Sequence, residues 1–163
     1  KSEETSSMIP SKPIKLYAPL AYNQIHQNLY RSSYPTPRNY SFIEKLQIKS
    51  FLCLVPNDIN QELRNYCSEK SIILYEFDVK MNQEPFVSMD SNEVRKAVQT
   101  MSDTSNYPML VFCLNGKLRT SCVVSCFRKA QRWSMVKIIE EFEQYAEAEG
   151  GLCDLSFIER FQL

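Results

Sequence analysis

Glycine is scarce in this chain, with only 3 among 163 residues. So few glycines are expected to stand where the backbone needs a positive φ or a close approach. That makes the one inside a recognisable loop motif, Gly116, informative. Histidine is scarcer still, His26 being the only one, and the six cysteines form no C-x-x-C pair. A zinc site of the usual Cys/His spacing is therefore not expected, nor is any other metal or cofactor. No stretch approaches the ~18 consecutive apolar residues of a transmembrane helix, and no apolar h-region lies near the start, so neither a membrane span nor a retained signal peptide is expected. Lys plus Arg number 19 and Asp plus Glu number 19, so net charge argues for neither nucleic acid nor a membrane surface as a partner, and any anion site must be local. Free thiols predict a reducing compartment, the cytoplasm. Because the chain opens on Lys1, it is expected to be a fragment.

What is present is an alternation of patterns. Residues 1–13 are polar and aperiodic, and read as a flexible lead-in to a single domain over 14–163. "NLYRS" (28–32), "SFLCLV" (50–55), "IILYEF" (72–77) and "MLVFC" (109–113) read as strands, the later ones apolar enough to be buried on both faces. Between them "SFIEKLQ", "NQELRNYCSEK" and "DSNEVRKAVQTM" read as helices. In the last of these Asp90 is placed to cap and Glu93 to reach back, ahead of Val94, Ala97, Val98 and Met101. Residues 120–131 bury Val123, Val124, Phe127 and Ala130 and direct Arg128, Lys129 and Arg132 to solvent. Residues 135–148 bury Val136, Ile138, Ile139, Phe142 and Tyr145, and a final helix capped by Asp154 contributes Leu155, Ile158 and Phe161. Strand and helix in alternation predict an α/β domain with a central, mostly parallel sheet flanked by helices.

One motif carries chemistry. Cysteine and arginine separated by five residues occur three times, as Cys113/Arg119, Cys122/Arg128 and Cys126/Arg132. The second and third pairs lie within a helical pattern, where a separation of six puts them on opposite faces. Only Cys113 follows a buried strand, precedes a helix and has a glycine in the intervening loop. Such a turn aims successive backbone N–H groups and the positive end of a helix dipole into one concavity. A phosphate fits there, bound by the loop from Leu114 through Asn115, Gly116, Lys117 and Leu118 to Arg119 and Thr120. Arg119 can grip two oxygens in a bidentate fork. Cys113 then sits below the phosphorus as a nucleophile, with the Thr120 hydroxyl beside its sulfur. Cys53, Cys67, Cys122, Cys126 and Cys153 read as packing residues.

Four stretches together resemble the plant and fungal atypical dual-specificity phosphatases of the protein-tyrosine-phosphatase superfamily. They are "NLYRSSYPTPRNYSFIEKLQIKSFLCLVP", "NQEPFVSMDSNEVRKAV", "YPMLVFCLNGKLRTSCVVSCFRKAQRWS" and "IIEEFEQYAEAE". The resemblance implies a cysteine-phosphatase fold and metal-free hydrolysis through a phosphocysteine. It also implies a phosphorylated small molecule, such as an inositol pyrophosphate, or a phosphoprotein as substrate. Departures from the family pattern lie around the loop, where Phe112 and Leu118 replace histidines, Gln83 a lysine and Ser121 a glycine. The general acid that the superfamily uses could be Asp78, Glu84 or Asp90. Asp90 reads better as a helix cap and Glu84 as a structural part of the E-P-F segment, which leaves Asp78, at a strand end on the side of the cysteine loop. Two functions stay open: a cysteine phosphatase, and a phosphatase-like subunit that binds phosphate ligands or active relatives in a complex. A rhodanese-like sulfur carrier fits the E-P-F and R-T context poorly. The basic helix "RKAQRW" could be a partner surface or a solvated face.

Overall fold

The computed structural model describes residues 13–163. All of the expected lead-in except Pro13 lies outside the described residues. Among these, five strands form one sheet: β1 (Asn23–His26), β2 (Leu29–Ser32), β3 (Ser50–Cys53), β4 (Ile73–Glu76) and β5 (Met109–Phe112), in the order β1-β2-β5-β3-β4. β2, β5, β3 and β4 are parallel, and only β1 runs antiparallel, to β2. The helices are α1 (Tyr40–Lys45), α2 (Gln61–Lys70), α3 (Ser91–Ser102), α4 (Leu118–Ala130), α5 (Met135–Ala146) and α6 (Leu152–Arg160). The chain thus has the α/β architecture with a mostly parallel central sheet that its alternating patterns predict.

Register places the functional end of the sheet. Ser32 on β2, Phe112 on β5 and Cys53 on β3 are level, and Cys53 is level with Glu76 on β4. The chain therefore leaves four parallel strands at one edge. Ligands bind outside such carboxyl edges in open α/β sheets because the connecting loops converge there. Backbone hydrogen bonds continue past the strand ends: Leu54 N–H to Phe112 O at 3.0 Å, Tyr34 N–H to Leu114 O at 3.0 Å and Val79 N–H to Leu54 O at 3.2 Å.

β3 and β5 are buried along their whole length, as their unbroken apolar runs predict. β4 departs from that expectation. It is an edge strand with one neighbour, and Ile73 is 46% exposed. β1 has no counterpart in the sequence reading, because three of its four residues are polar and only Ile25 is buried.

Local signals hold for most helices and fail at four named points. Asp90 caps α3 by accepting from Asn92 N–H at 2.8 Å, and Val94, Ala97, Val98 and Met101 are buried. Glu93 does not reach back but pairs with Lys96 at 3.1 Å. Asp154 is not the cap of α6. It sits at the third helical position and accepts from the Gly151 N–H at 2.9 Å. Val136 is 68% exposed, since it lies two residues before buried Ile138 and so faces the opposite side of α5. Arg128 does not reach solvent, and Lys129 is half-buried with its ammonium bound to the protein. The Arg128 guanidinium is buried, bonded to Glu141 at 3.1 and 3.2 Å and to Ile25 O at 2.6 Å, with Trp133 stacked 4.0 Å away. Lys129 donates to the carbonyls of Ile158, Glu159 and Phe161 at 3.0, 2.7 and 2.7 Å, closing the C-terminus of α6 with a cation as the helix dipole favours.

Arg128 thus joins α4, α5 and β1. Removing one partner of a buried ion pair leaves the other charge uncompensated. Arg128→Ala is expected to lower unfolding free energy in urea by about 3 kcal/mol, and Arg128→Met with Glu141→Leu to recover most of it.

Candidate active site

The loop between β5 and α4 is built from the backbone outward. Phe112 ends the strand fully buried, its ring edge-on to Tyr34 and Phe51 at 5.6 and 5.5 Å. It contributes packing beside the cysteine and no hydrogen-bonding group. Cys113 follows, 2% exposed. The chain then bends through Leu114–Lys117 and enters α4 at Leu118. Gly116 has φ +75, and a Cβ there would lie 2.6 Å from the Ser32 carbonyl carbon and the Ser33 nitrogen. Only glycine meets both demands, which explains one of the scarce glycines.

Beneath the loop lies a charge that the sequence reading missed. Arg31, on β2, is 2% exposed and donates through Nη2 to Gly116 O at 3.2 Å and to Ser121 Oγ at 2.7 Å. Its guanidinium stacks on Tyr145 at 4.4 Å. Burial pulls its pKa down to about 10, opposed by Glu141 and Cys113, so the group stays protonated at neutral pH. Ser121, a departure from the family pattern, is one of its anchors. The available sequence signal was an arginine two residues after Leu29 on a strand, and so on the same face as that buried leucine.

Around the cysteine, Thr120 Oγ1 donates to Cys113 Sγ at 3.0 Å, as the motif predicts. Arg119 is half-buried on the first turn of α4 and, among the described residues, makes no side-chain hydrogen bond or ion pair. It lines a cavity of about 490 Å³ together with Asp78, Lys80, Gln83 and Ser88. Asp58, another carboxylate of that cavity, was not singled out in the sequence; it stands in the turn after β3 and also borders a larger cavity of about 1070 Å³ on the Leu114 side. Leu114, Asn115 and Lys117 face that larger space. The Leu118 side chain turns into the core, leaving its backbone to the loop.

Two loop side chains are already engaged. Lys117 Nζ pairs with Glu147 at 2.9 Å, and Asn115 Nδ2 donates to both carboxylate oxygens of Glu149 at 2.9 and 3.0 Å. Asn115 Oδ1 accepts from the Lys117 N–H at 3.1 Å. Glu147 and Glu149 lie at the end of the stretch "IIEEFEQYAEAE", but nothing in that stretch placed them against the cysteine loop.

The other candidates take structural places. Glu84 accepts from the Cys153 N–H at 2.8 Å and from its thiol at 3.0 Å at the start of α6. Asn82 ties the same segment to Asp154 at 3.0 Å. Burial pushes the Cys53 and Cys67 thiols up to about 12 and 11 and raises Cys122 and Cys126, while the Glu84 contact pushes Cys153 up to about 11. These five remain thiols at neutral pH, as packing residues do. Among the described residues no group of three or more His, Cys, Asp or Glu side chains is placed to hold a metal ion.

Residues 16–163, which include this loop and every strand, match the Tyrosine phosphatase family. The chain belongs to that family. It is 35% identical over 148 residues to inositol diphosphatase DSP1 of Oryza sativa subsp. japonica, covering 91% of this chain and 67% of that protein. It is 36% identical over 144 residues to inositol diphosphatase SIW14 of Saccharomyces cerevisiae, covering 88% of this chain but only 51% of the yeast protein. The crystal structure of the core catalytic domain of SIW14, a PP-IP phosphatase, in complex with citrate superimposes with a TM-score of 0.84 at 34% identity, over 91% of this chain and 89% of that one. Among the described residues no helix is long and apolar enough to cross a membrane.

Two outcomes follow from these contacts. Gly116→Ala is expected to destabilise the fold by at least about 2 kcal/mol in urea, since either the loop or the Ser32–Ser33 backbone must move. The Cys153 thiol and amide hold the Glu84 carboxyl below the usual carboxylate range. A carboxyl lowered on folding stabilises above its unfolded pKa and loses that contribution as pH falls through its folded value. The melting-temperature gap between wild type and Glu84→Gln should therefore stay constant above the ordinary glutamate pKa of about 4.3 and close as pH falls below it.

Proposed function

We propose that residues 14–163 form one catalytic domain, a cysteine-dependent phosphatase that works through a phosphocysteine. The observation that carries the reading is the Thr120–Cys113 contact at the sheet's carboxyl edge, beside the cavity that Arg119 and Asp78 share. In the first step the Cys113 thiolate attacks phosphorus, the bond from phosphorus to the leaving oxygen breaks, and the Asp78 carboxyl gives that oxygen its proton. In the second, water attacks phosphorus, Asp78 takes a proton from it, and the sulfur leaves as a thiolate to which the Thr120 hydroxyl donates. Arg119 and the N–H groups from Leu114 to Thr120 hold the three phosphoryl oxygens, and such preorganised donors supply a large part of the rate. Arg31 adds positive charge from below.

The substrate is a phosphoanhydride such as an inositol pyrophosphate, or the phosphate ester of a phosphoprotein. The relatives' names support the first and the family's name the second. The cytoplasm suits a chain whose six cysteines are all unpaired. A second reading, a subunit that captures phosphate without turnover inside a complex with related chains, draws on Phe112, which leaves Cys113 without a polar neighbour at that position.

Turnover of an aryl phosphate and of an inositol pyrophosphate separates the two. Cys113→Ser is expected to abolish both, and Arg119→Ala to blunt the rise in melting temperature that phosphate produces in wild type. Asp78→Asn should slow hydrolysis of a tyrosine phosphate by about 10²-fold or more, with a smaller effect on an anhydride whose leaving group needs no proton. Asp58→Asn should leave the tyrosine phosphate rate nearly unchanged. Phosphate stabilisation without any wild-type turnover would favour the binding subunit.

A further inference from the structure

Glu147 and Glu149 project from the end of α5 onto the phosphate loop, and fold stability does not account for them. The Lys117–Glu147 pair is exposed, its side chains 34% and 61% accessible, and exposed ion pairs contribute little. Both carboxylates follow the C-terminus of a helix, where its dipole disfavours negative charge. Glu147 also holds φ 53 and ψ −133, a conformation costly for a residue with a side chain. That backbone aims its carboxylate at Lys117, while Glu149 takes the amide of Asn115.

We propose that Glu147 and Glu149 are specificity-determining residues, a charge filter that selects a single phosphate group on an apolar body and disfavours polyanions. The inference rests on the phosphatase reading and names the substrate class for the same site. Lys117, the loop's lysine, is neutralised on the side where further phosphates would lie. The space beyond it is the cavity of about 1070 Å³, with apolar walls from Tyr17, Leu20, Tyr34 and Leu114, and with Asp58, Glu147 and Arg38 also on its lining. An aromatic or aliphatic group seated there meets apolar surface, whereas a second phosphate meets two carboxylates and no unpaired loop lysine. Arg38 also lines this space, its guanidinium stacked on Tyr17 at 3.9 Å, while Arg119 and Lys80 line the other cavity.

The test compares kcat/KM for 4-methylumbelliferyl phosphate and for an inositol pyrophosphate in wild type and in Glu147→Gln with Glu149→Gln. The ratio of polyanion to aryl ester should rise about tenfold, the size expected when two exposed charges at short range from an anion are removed, and the change should lie in KM. Leu20→Asp should raise KM for the aryl ester. Direct binding of tripolyphosphate to Cys113→Ser, with and without the two glutamine substitutions, reads the filter independently of turnover and should tighten about tenfold. If wild type hydrolyses neither substrate, the phosphatase reading fails while this binding arm still decides the filter. A change below about threefold in binding, or in the ratio where there is turnover, overturns it. An unchanged KM in Leu20→Asp overturns the apolar seat.

Discussion

A guanidinium sealed from water must find its hydrogen-bond acceptors inside the protein, and Arg31 finds two through Nη2, the Gly116 carbonyl and the Ser121 hydroxyl, while its buried Nε has none. That requirement couples β2, the Cys113 loop and α4 into one unit. It also sets the distance at which the loop passes over Ser32 and Ser33, which in turn admits only glycine at 116. Tyr145 covers the guanidinium from α5, so a third element enters the same arrangement. The geometry of the site is thus determined from below, by a charge that never touches solvent. Buried charges are costly unless paired or well bonded, and a group kept protonated under such conditions is a strong local field.

The site is electrostatically layered. Arg31 lies underneath, Arg119 and the loop N–H groups form the proposed binding surface, and Glu147 and Glu149 pair with Lys117 and Asn115 on the far side. The chain's balanced composition concealed this, because equal numbers of acids and bases say nothing about which of them share a loop. Local arrangement, not net charge, is what places basic groups on one side of the loop and two carboxylates on the other.

Legibility in the sequence followed interaction range. β3 and β5 were readable because strands buried on both faces must be apolar throughout, and Cys113 stood apart from Cys122 and Cys126 because strand, glycine and helix follow one another locally. α3 was readable from Asp90 and its four inward residues. What escaped depends on partners distant in sequence. Arg128 looks like a solvent-facing base until Ile25 and Glu141 are brought beside it, and Lys129 until the last turn of α6 arrives. β1 is a strand only because β2 offers it an edge, and β4 is half-exposed because, among the described residues, no strand lies beyond it. Arg31, Asp58, Glu147 and Glu149 belong to the same class, as residues whose chemistry is defined across the fold.

The segment carrying Gln83 and Ser88, a wall of the Arg119 cavity, is fastened through Asn82 and Glu84 to Asp154 and Cys153, sequence separations of 72 and 69. The cysteine loop itself is complete much earlier in the chain. During synthesis the ribosome therefore releases Cys113 and its loop before the residues that fasten this wall. The pocket acquires its final shape only when α6 emerges, so a nascent chain carries the cysteine loop in an unfinished enclosure.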